Sequence, residues 1–240
     1  MIRFEQVSVA YETGAPVLRD LNFTIEDGEA VGLIGANGAG KSTLLKALLG
    51  LLPHQGRILV DELELNKQNL KEIRRRLGFV LQDSDDQMFM PTVYEDMMFA
   101  PLNYGMDRAE AEAKVDAVLE QLGLTALKHR HNHKISGGEK RMAAIATVLA
   151  MDPAALLMDE PTAALDPCNR RLVINTIRAL PNTRLITSHD LDMILDTCSR
   201  VILLSGGQIA ADGDAETILR NKALLERHRM ELPFCLQGRQ

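Results

Sequence analysis

The sequence predicts an α/β fold with a mixed, mainly parallel core sheet, an antiparallel β part at the N-terminal side and a helical insertion. Three observations carry this. The apolar run Ala30-Val31-Gly32-Leu33-Ile34 leads through a Gly-rich stretch into Leu44, Leu45, Ala47, Leu48 and Leu49, a strand–loop–helix unit. Further runs without alternation, at residues 77–81, 154–158, 184–187 and 201–204, are spaced by helical patterns, as in a sheet buried on both faces. Residues 2–9 instead alternate, with Ile2, Phe4, Val7 and Val9 against polar neighbours and one register break at Gln6, as in a half-buried antiparallel strand.

The 240 residues fit one large α/β domain or one domain with a small inserted one; it is taken as a single domain, 1–240, with a helical part at about 88–150 and a short tail at about 221–240. With 46% hydrophobic and 25% charged residues, a packed core is expected. No apolar run approaches the roughly 20 residues that span a bilayer, and Met1-Ile2-Arg3-Phe4-Glu5 does not read as a signal peptide. The net charge of −6 argues against general attachment to nucleic acid or an anionic surface. Cys168, Cys198 and Cys235 are odd in number and widely spaced, and read as free thiols of a reducing compartment.

The Gly-rich stretch is Gly35-Ala36-Asn37-Gly38-Ala39-Gly40-Lys41-Ser42-Thr43, a G-x-x-x-x-G-K-S pattern between strand and helix. Its glycines let backbone N–H groups turn toward phosphate oxygens, and the helix N-terminus adds partial positive charge there. Lys41 supplies charge to β- and γ-phosphates, and Ser42 offers a hydroxyl to Mg²⁺. A nucleoside triphosphate with Mg²⁺ is the expected ligand.

Along the chain, Tyr11 is either an edge aromatic or a platform for a base, and a turn follows at Thr13-Gly14-Ala15-Pro16. Residues 17–25 form a second strand. Pro53-His54-Gln55-Gly56 reads as a loop before a strand at 57–60. Lys71, Arg74, Arg75 and Arg76 read as a solvated helix face around Leu70 and Ile73. Gln82 follows the buried run at 77–81. Ligands of open parallel sheets sit at strand carboxyl ends, so Gln82 is placed to reach the metal or an attacking water. Met88, Phe89, Met90, Met97, Met98 and Phe99 are plain core or an adaptable partner surface. Residues 108–122 form an amphipathic helix with Ala111, Val115, Val118, Leu119 and Leu122 on one face and Gly123 as its stop. His129, His131 and His133 lack a carboxylate or Cys beside them and read as loop residues rather than a metal site.

Ser136-Gly137-Gly138-Glu139 opens the next helix with a capping box. Its two glycines cost about 1 kcal/mol each relative to Ala and suit close approach of a ligand to the backbone. Asp159-Glu160 ends a buried run; beside a phosphate site, the first carboxylate can hold Mg²⁺ and the second can activate water. Leu165-Asp166-Pro167 turns into a helix at 168–180. Ser188-His189-Asp190 ends the run at 184–187, where His189 is placed for a γ-phosphate. Residues 201–211 form a hairpin and 214–229 a mixed polar helix.

In their order, Tyr11, the P-loop, Gln82, Ser136 to Glu139, Asp159, Glu160, Asp166 and His189 resemble the nucleotide-binding subunit of ABC ATPases over about residues 2–220. The usual L-S-G-G-Q signature reads Ile135-Ser136-Gly137-Gly138-Glu139 here. The stretch from Gly78 through Asp85-Asp86-Gln87 and Pro91-Thr92-Val93-Tyr94-Glu95-Asp96 is similar to the ATPases of energy-coupling factor (ECF) transporters. The short C-terminal region and the Gly138-Glu139-Lys140-Arg141-Met142 form resemble their cobalt/nickel-uptake group. The resemblance implies a P-loop NTPase of ABC type with a helical signature subdomain, hydrolysing ATP with Mg²⁺ for a membrane importer. Two copies, or this chain and a second ATPase subunit, would pair head to tail. Nucleotide would touch Tyr11, Gly35, Asn37, Gly38, Gly40, Lys41, Ser42 and Thr43 of one chain and Ser136, Gly137, Gly138 and Glu139 of the other, with Asp166 at the dimer contact. Catalysis would rest on Glu160, His189 and Gln82, and Mg²⁺ on Ser42, Gln82 and Asp159. Integral membrane coupling and substrate-binding subunits would dock near residues 82–99, placing the chain at the cytoplasmic face of the membrane, with no nucleic-acid partner. The alternatives are an ECF vitamin importer, a soluble non-transport ABC ATPase, or a small-molecule kinase. The kinase would leave residues 135–139 and His189 without a role.

Overall fold

Two sheets and the helices around them define the architecture of this computed structural model, which describes residues 1–11 and 14–238. The first strands, β1 (Ile2–Val9) and β2 (Leu18–Ile25), pair antiparallel. Between them, the expected turn includes Thr13, which lies outside the described residues. Then come the P-loop strand β3 (Ala30–Ile34), helix α1 (Lys41–Leu48), β4 (His54–Val60) and β5 (Leu63–Glu64). Strands β2, β1, β4 and β5 form, in that order, an antiparallel four-stranded sheet. The register break is real: Gln6 has φ 53° and the pairing shifts between Phe4 and Val7. The bulge brings Val7 and Val9 onto the buried face already holding Ile2 and Phe4. Residues 54–56 of the expected loop are instead the start of β4, because pairing resumes beyond the bulge at Ser8–Gln55 and Val9–His54. Gly56 (φ 79°) makes this possible, since a Cβ there would lie 2.3 Å from the Gln6 carbonyl oxygen.

After α2 (Leu70–Arg76) and β6 (Leu77–Val80), the chain forms a short α3 (Ser84–Gln87), then α4 (Val93–Asn103), α5 (Arg108–Gln121) and α6 (Gly137–Leu149). The basic face of α2 is structural: Arg74 donates to the Leu49 carbonyl, and Arg76 pairs with Glu72 and Asp61. Helix α5 buries Ala111, Val115 and Leu119 and stops at Gly123 (φ 69°). His129, His131 and His133 are exposed.

Strand β7 (Ala155–Asp159), helix α7 (Pro167–Ala179), β8 (Thr183–Thr187), α8 (Leu191–Thr197), β9 (Arg200–Ser205) and β10 (Gln208–Asp214) complete the second sheet. Its order is β10-β9-β3-β8-β7-β6, parallel except for the hairpin strand β10. The mixed polar helix expected at 214–229 is two helices, α9 (Ala215–Arg220) and α10 (Lys222–Arg227). Asn221 breaks it by turning its side-chain oxygen to the Leu224 N–H.

The six-stranded sheet separates two cores, so β3 is buried at every position and cannot alternate. One core lies against the antiparallel sheet and α1, where Phe4 and Phe23 stack at 4.4 Å. The other joins the sheet to α4 through α9. The Met/Phe cluster splits between core and surface. Met88, Met97 and Met98 are core, whereas Phe89 and Phe99 are exposed and meet edge to face at 4.8 Å. Among the described residues, no helix is long and apolar enough to cross a membrane. Cys198 is buried, and Cys168 and Cys235 are exposed; all three are free thiols.

Candidate active site

The carboxyl ends of β3, β6, β7 and β8 open on one side of the sheet, and the residues that follow them line a cleft of about 600 Å³. Asn37, Gly38, Gly40, Lys41, Ser42 and Thr43 form one wall; Gln82, Asp159, Glu160 and His189 form the other. Gly40 (φ 108°) turns the chain into α1 and offers no side-chain cap, so the helix's first N–H groups stay free for a ligand. The buried Lys41 Nζ donates to the Gly35 carbonyl at 2.7 Å and lies 3.3 Å from His189 Nε2. Burial pushes its ammonium below the ordinary lysine value, while Glu160 and Asp159 pull the other way. Tyr11 is exposed, and its hydroxyl lies 3.3 Å from Thr43 Oγ1, which sets the ring at the end of the Gly-rich loop.

Asp159 and Glu160 would diverge on a regular strand, but Glu160 has φ 48°, and both side chains line the cleft. Thr187 on the neighbouring β8 holds the pair. Its hydroxyl donates to Asp159 Oδ1 at 2.5 Å, and its carbonyl accepts from the Glu160 N–H at 3.0 Å. Glu160 Oε2 accepts from the His189 N–H at 3.0 Å and Ser188 Oγ at 3.1 Å. Glu160 Oε1 is buried without a hydrogen-bond partner and lies 3.6 Å from His189 Nε2. A desolvated, unpaired carboxylate oxygen is unfavourable by itself and fits a site completed by a polar ligand or water. Ser42, Gln82 and Asp159 offer oxygen donors of the kind Mg²⁺ takes.

The remaining sequence-predicted residues lie elsewhere. Ser136, Gly137, Gly138 and Glu139 sit at the N-terminus of α6, where the capping box is formed: the Ser136 N–H donates to Glu139 Oε2 at 2.7 Å, and the Glu139 N–H to Ser136 Oγ at 3.3 Å. That hydrogen bonding holds the Glu139 carboxyl below its usual range. The two glycines differ. Gly137 faces open space, whereas a Cβ on Gly138 would lie 2.1 Å from Asn169 Cγ, so its smallness is explained within the chain. Asn169 in turn donates to Asp166, whose Oδ1 caps α7 through the N–H groups of Cys168 and Asn169. Residues 136–139 and Asp166 thus form one connected outer patch, exposed apart from Gly138.

Sequence reasoning missed Thr187, Asn169, Thr162 and Asp190. Asp190 caps α8, grips Arg170 with both oxygens at 2.6 and 2.7 Å and accepts from Thr162. Its place next to His189 was the available signal.

Residues 18–163 match the ABC transporter family. The chain is 47% identical to a putative ABC transporter ATP-binding protein of Geobacter sulfurreducens, covering 95% of this chain and 92% of that one. It is 40% identical to the energy-coupling factor transporter ATP-binding protein of Methanothermobacter thermautotrophicus (97% and 77% covered) and 39% identical to the cobalt import ATP-binding protein of Rhodobacter capsulatus (97% and 85%). Among solved structures, cbiO1 from Clostridium perfringens, part of the ABC transporter complex cbiONQ, superposes with a TM-score of 0.83 at 32% identity (94% and 93% covered). A dimeric ATP-binding cassette in a post-hydrolysis state with ADP and Pi bound gives 0.78 at 26% identity (90% and 99%). With this fold, this cleft and these relatives, the chain belongs to the ABC transporter family as an ATP-binding, ATP-hydrolysing subunit.

Proposed function

We propose that the chain is the motor of an ECF-type importer, with cobalt or nickel ions as its cargo. The observation that carries the motor is the convergence of Lys41, Ser42, Gln82, Asp159, Glu160 and His189 on one cleft, with Glu160 Oε1 left bare. In the proposed reaction, Lys41 leaves the Gly35 carbonyl for the β- and γ-phosphates, and the N–H groups at the N-terminus of α1 hold the phosphate oxygens. Tyr11 carries the base. Ser42, Gln82 and Asp159 would hold Mg²⁺, which supplies neutralisation of phosphate charge when bound. Gln82 orients a water in line with the γ-phosphorus, and Glu160 Oε1 takes its proton. The bond to the ADP oxygen breaks, its electron pair stays on ADP, and His189 donates to the γ-phosphate.

The open space over Gly137 supports a site completed by a second ATPase subunit, whose signature residues would cover the nucleotide with Asp166 at the contact. The exposed Phe89 and Phe99 border a groove of about 200 Å³ with Tyr104 and Met151, a surface for a helix of the membrane partner. The ECF reading rests on the Asp85–Asp96 sequence pattern and the likeness to the energy-coupling factor protein, and the metal reading on the short C-terminal region, the Gly138–Met142 form and the likeness to the cobalt import protein. The test is a tagged pull-down from gently solubilised membranes with uptake assays for nickel, cobalt and vitamins. Two membrane partners with metal uptake are expected. Vitamin uptake would overturn the cargo, and recovery of the chain with no membrane partner would overturn the transport motor.

A further inference from the structure

Gln82 lies outside any regular element, two residues past β6, yet its main chain is bolted to the signature helix from two sides. Arg141, in the first turns of α6, donates from Nη1 to the Leu81 carbonyl at 2.6 Å and from Nη2 to the Gln82 carbonyl. Gln87, in α3, accepts from the Leu81 N–H at 2.9 Å and donates from Nε2 to the Ala144 carbonyl at 2.7 Å and to Thr147 Oγ1 at 3.0 Å, both on α6. Both peptide groups of Leu81 are therefore fixed to one helix.

The arrangement is costly. Arg141 is 4% exposed, pairs with no carboxylate among the described residues, and leaves its Nε buried without a partner. Burial pushes the guanidinium below its ordinary value, against the pull of Asp83. A buried cation without a paired anion is a poor route to stability. What Arg alone supplies is a planar fork spanning two successive carbonyls, which the point charge of Lys cannot reproduce.

We propose that Arg141 is a positioning residue for hydrolysis: with Gln87 as its second arm, it holds the Leu81–Gln82 main chain to α6 and so sets where the Gln82 side chain meets the attacking water. The proposal rests on the role given to Gln82 above. It makes the Gln82 position follow α6, the helix whose N-terminus carries Ser136 and Gly137.

The experiment is a double-mutant cycle on the full chain in its transporter complex, measuring kcat and KM for ATP in Arg141→Ala, Gln82→Ala and the pair, with thermal unfolding as the fold control. Arg141→Ala is expected to lower kcat by about tenfold to a hundredfold, the scale of a misplacement near 1 Å, with KM within about threefold. In the Gln82→Ala background the same change is expected to cost less than about twofold, because the group it positions is gone. Arg141→Lys should recover part of the loss. If Arg141→Ala does not fold, Gln87→Ala run through the same cycle reads the same coupling. Losses that multiply in the double variant would overturn the positioning role and leave the Gln82 assignment standing. An unchanged kcat in Gln82→Ala would overturn that assignment and the proposal with it.

Discussion

Glu160 is held without being satisfied. Thr187 fixes its backbone, Ser188 and the His189 N–H engage Oε2, and Oε1 stays bare. A carboxylate kept in place by three neighbours and left one free oxygen has the geometry of a general base. Glu160→Gln keeps the shape: its amide oxygen can accept from the His189 N–H and Ser188 Oγ in place of Oε2, which puts an NH2 group where Oε1 stood and removes the base. It is expected to bind ATP normally, to lower kcat by about a hundredfold or more, and to accumulate as an ATP-bound dimer on size exclusion. A monomer under those conditions would count against a shared site. That residues 37–43 line one wall of the cleft was legible because they are neighbours in one strand–loop–helix unit. Gln82, Glu160 and His189 were legible because strand ends of a parallel sheet share an edge. Thr187 and Arg141 were not, since they act on groups 28 and 60 positions away that only the fold brings near, and Asn169 was not, since its contact with Gly138 is made between two helices.

At the scale of elements, the paired glycines of α6 show how one sequence signal can hold two causes. The spacing suggested that both admit a ligand. The structure assigns Gly138 to the contact between α6 and α7 and leaves Gly137 open. Gly138→Ala should therefore cost about 1–3 kcal/mol of stability through overpacking against Asn169. Gly137→Ala should gain up to about 1 kcal/mol from helix propensity and lose ATP-driven pairing. Thermal unfolding and size exclusion separate the two, and a destabilised Gly137→Ala would remove the argument for a ligand there. The joint between α7 and α8 gives a second prediction. Burial pushes the Asp190 carboxyl up, but Arg170, Thr162 and the Met193 N–H more than offset it, so it lies below the ordinary value of 3.8. A carboxylate depressed in the folded state stabilises at full strength above about pH 4, and that share is lost as pH falls through the folded value. Asp190→Asn retains a capping residue and removes the charge. It should cost about 1–3 kcal/mol at pH 7, and the gap to the parent should close on acidification. A constant gap from pH 7 to pH 3 would rule out the ion pair as its source. Boundaries were less legible than elements: β4 starts three residues early because its pairing with β1 resumes beyond the bulge at Gln6, and Asn221 cuts one polar helix into two.

At the scale of the whole molecule, the two cores put the ATP cleft and the Phe89–Phe99 groove at different places on one rigid frame. Of the methionines that made residues 88–99 look adaptable, Met88, Met97 and Met98 are core and Met90 is half-buried, while the two aromatics stay exposed. The buried Asp96 fixes the lip by accepting from the N–H groups of Phe89 and Met90. Phe89 is 61% exposed, and covering about 100 Å² of such a ring is worth roughly 2.5 kcal/mol. A carboxylate in its place would forfeit that and oppose desolvation, so Phe89→Asp should weaken membrane docking by about a hundredfold or more. Because Phe89 makes no contribution to the lining of the ATP cleft, hydrolysis by the isolated chain should remain within about twofold of the parent, a surface change staying near ±0.5 kcal/mol. Vesicle co-sedimentation with the membrane partners, alongside ATPase rates without them, reads both quantities. Docking lost with hydrolysis retained separates the groove from the motor. Hydrolysis lost as well would mean that the Phe89 ring supports the cleft through α4 and α6, and the surface would no longer be independent of the chemistry it serves.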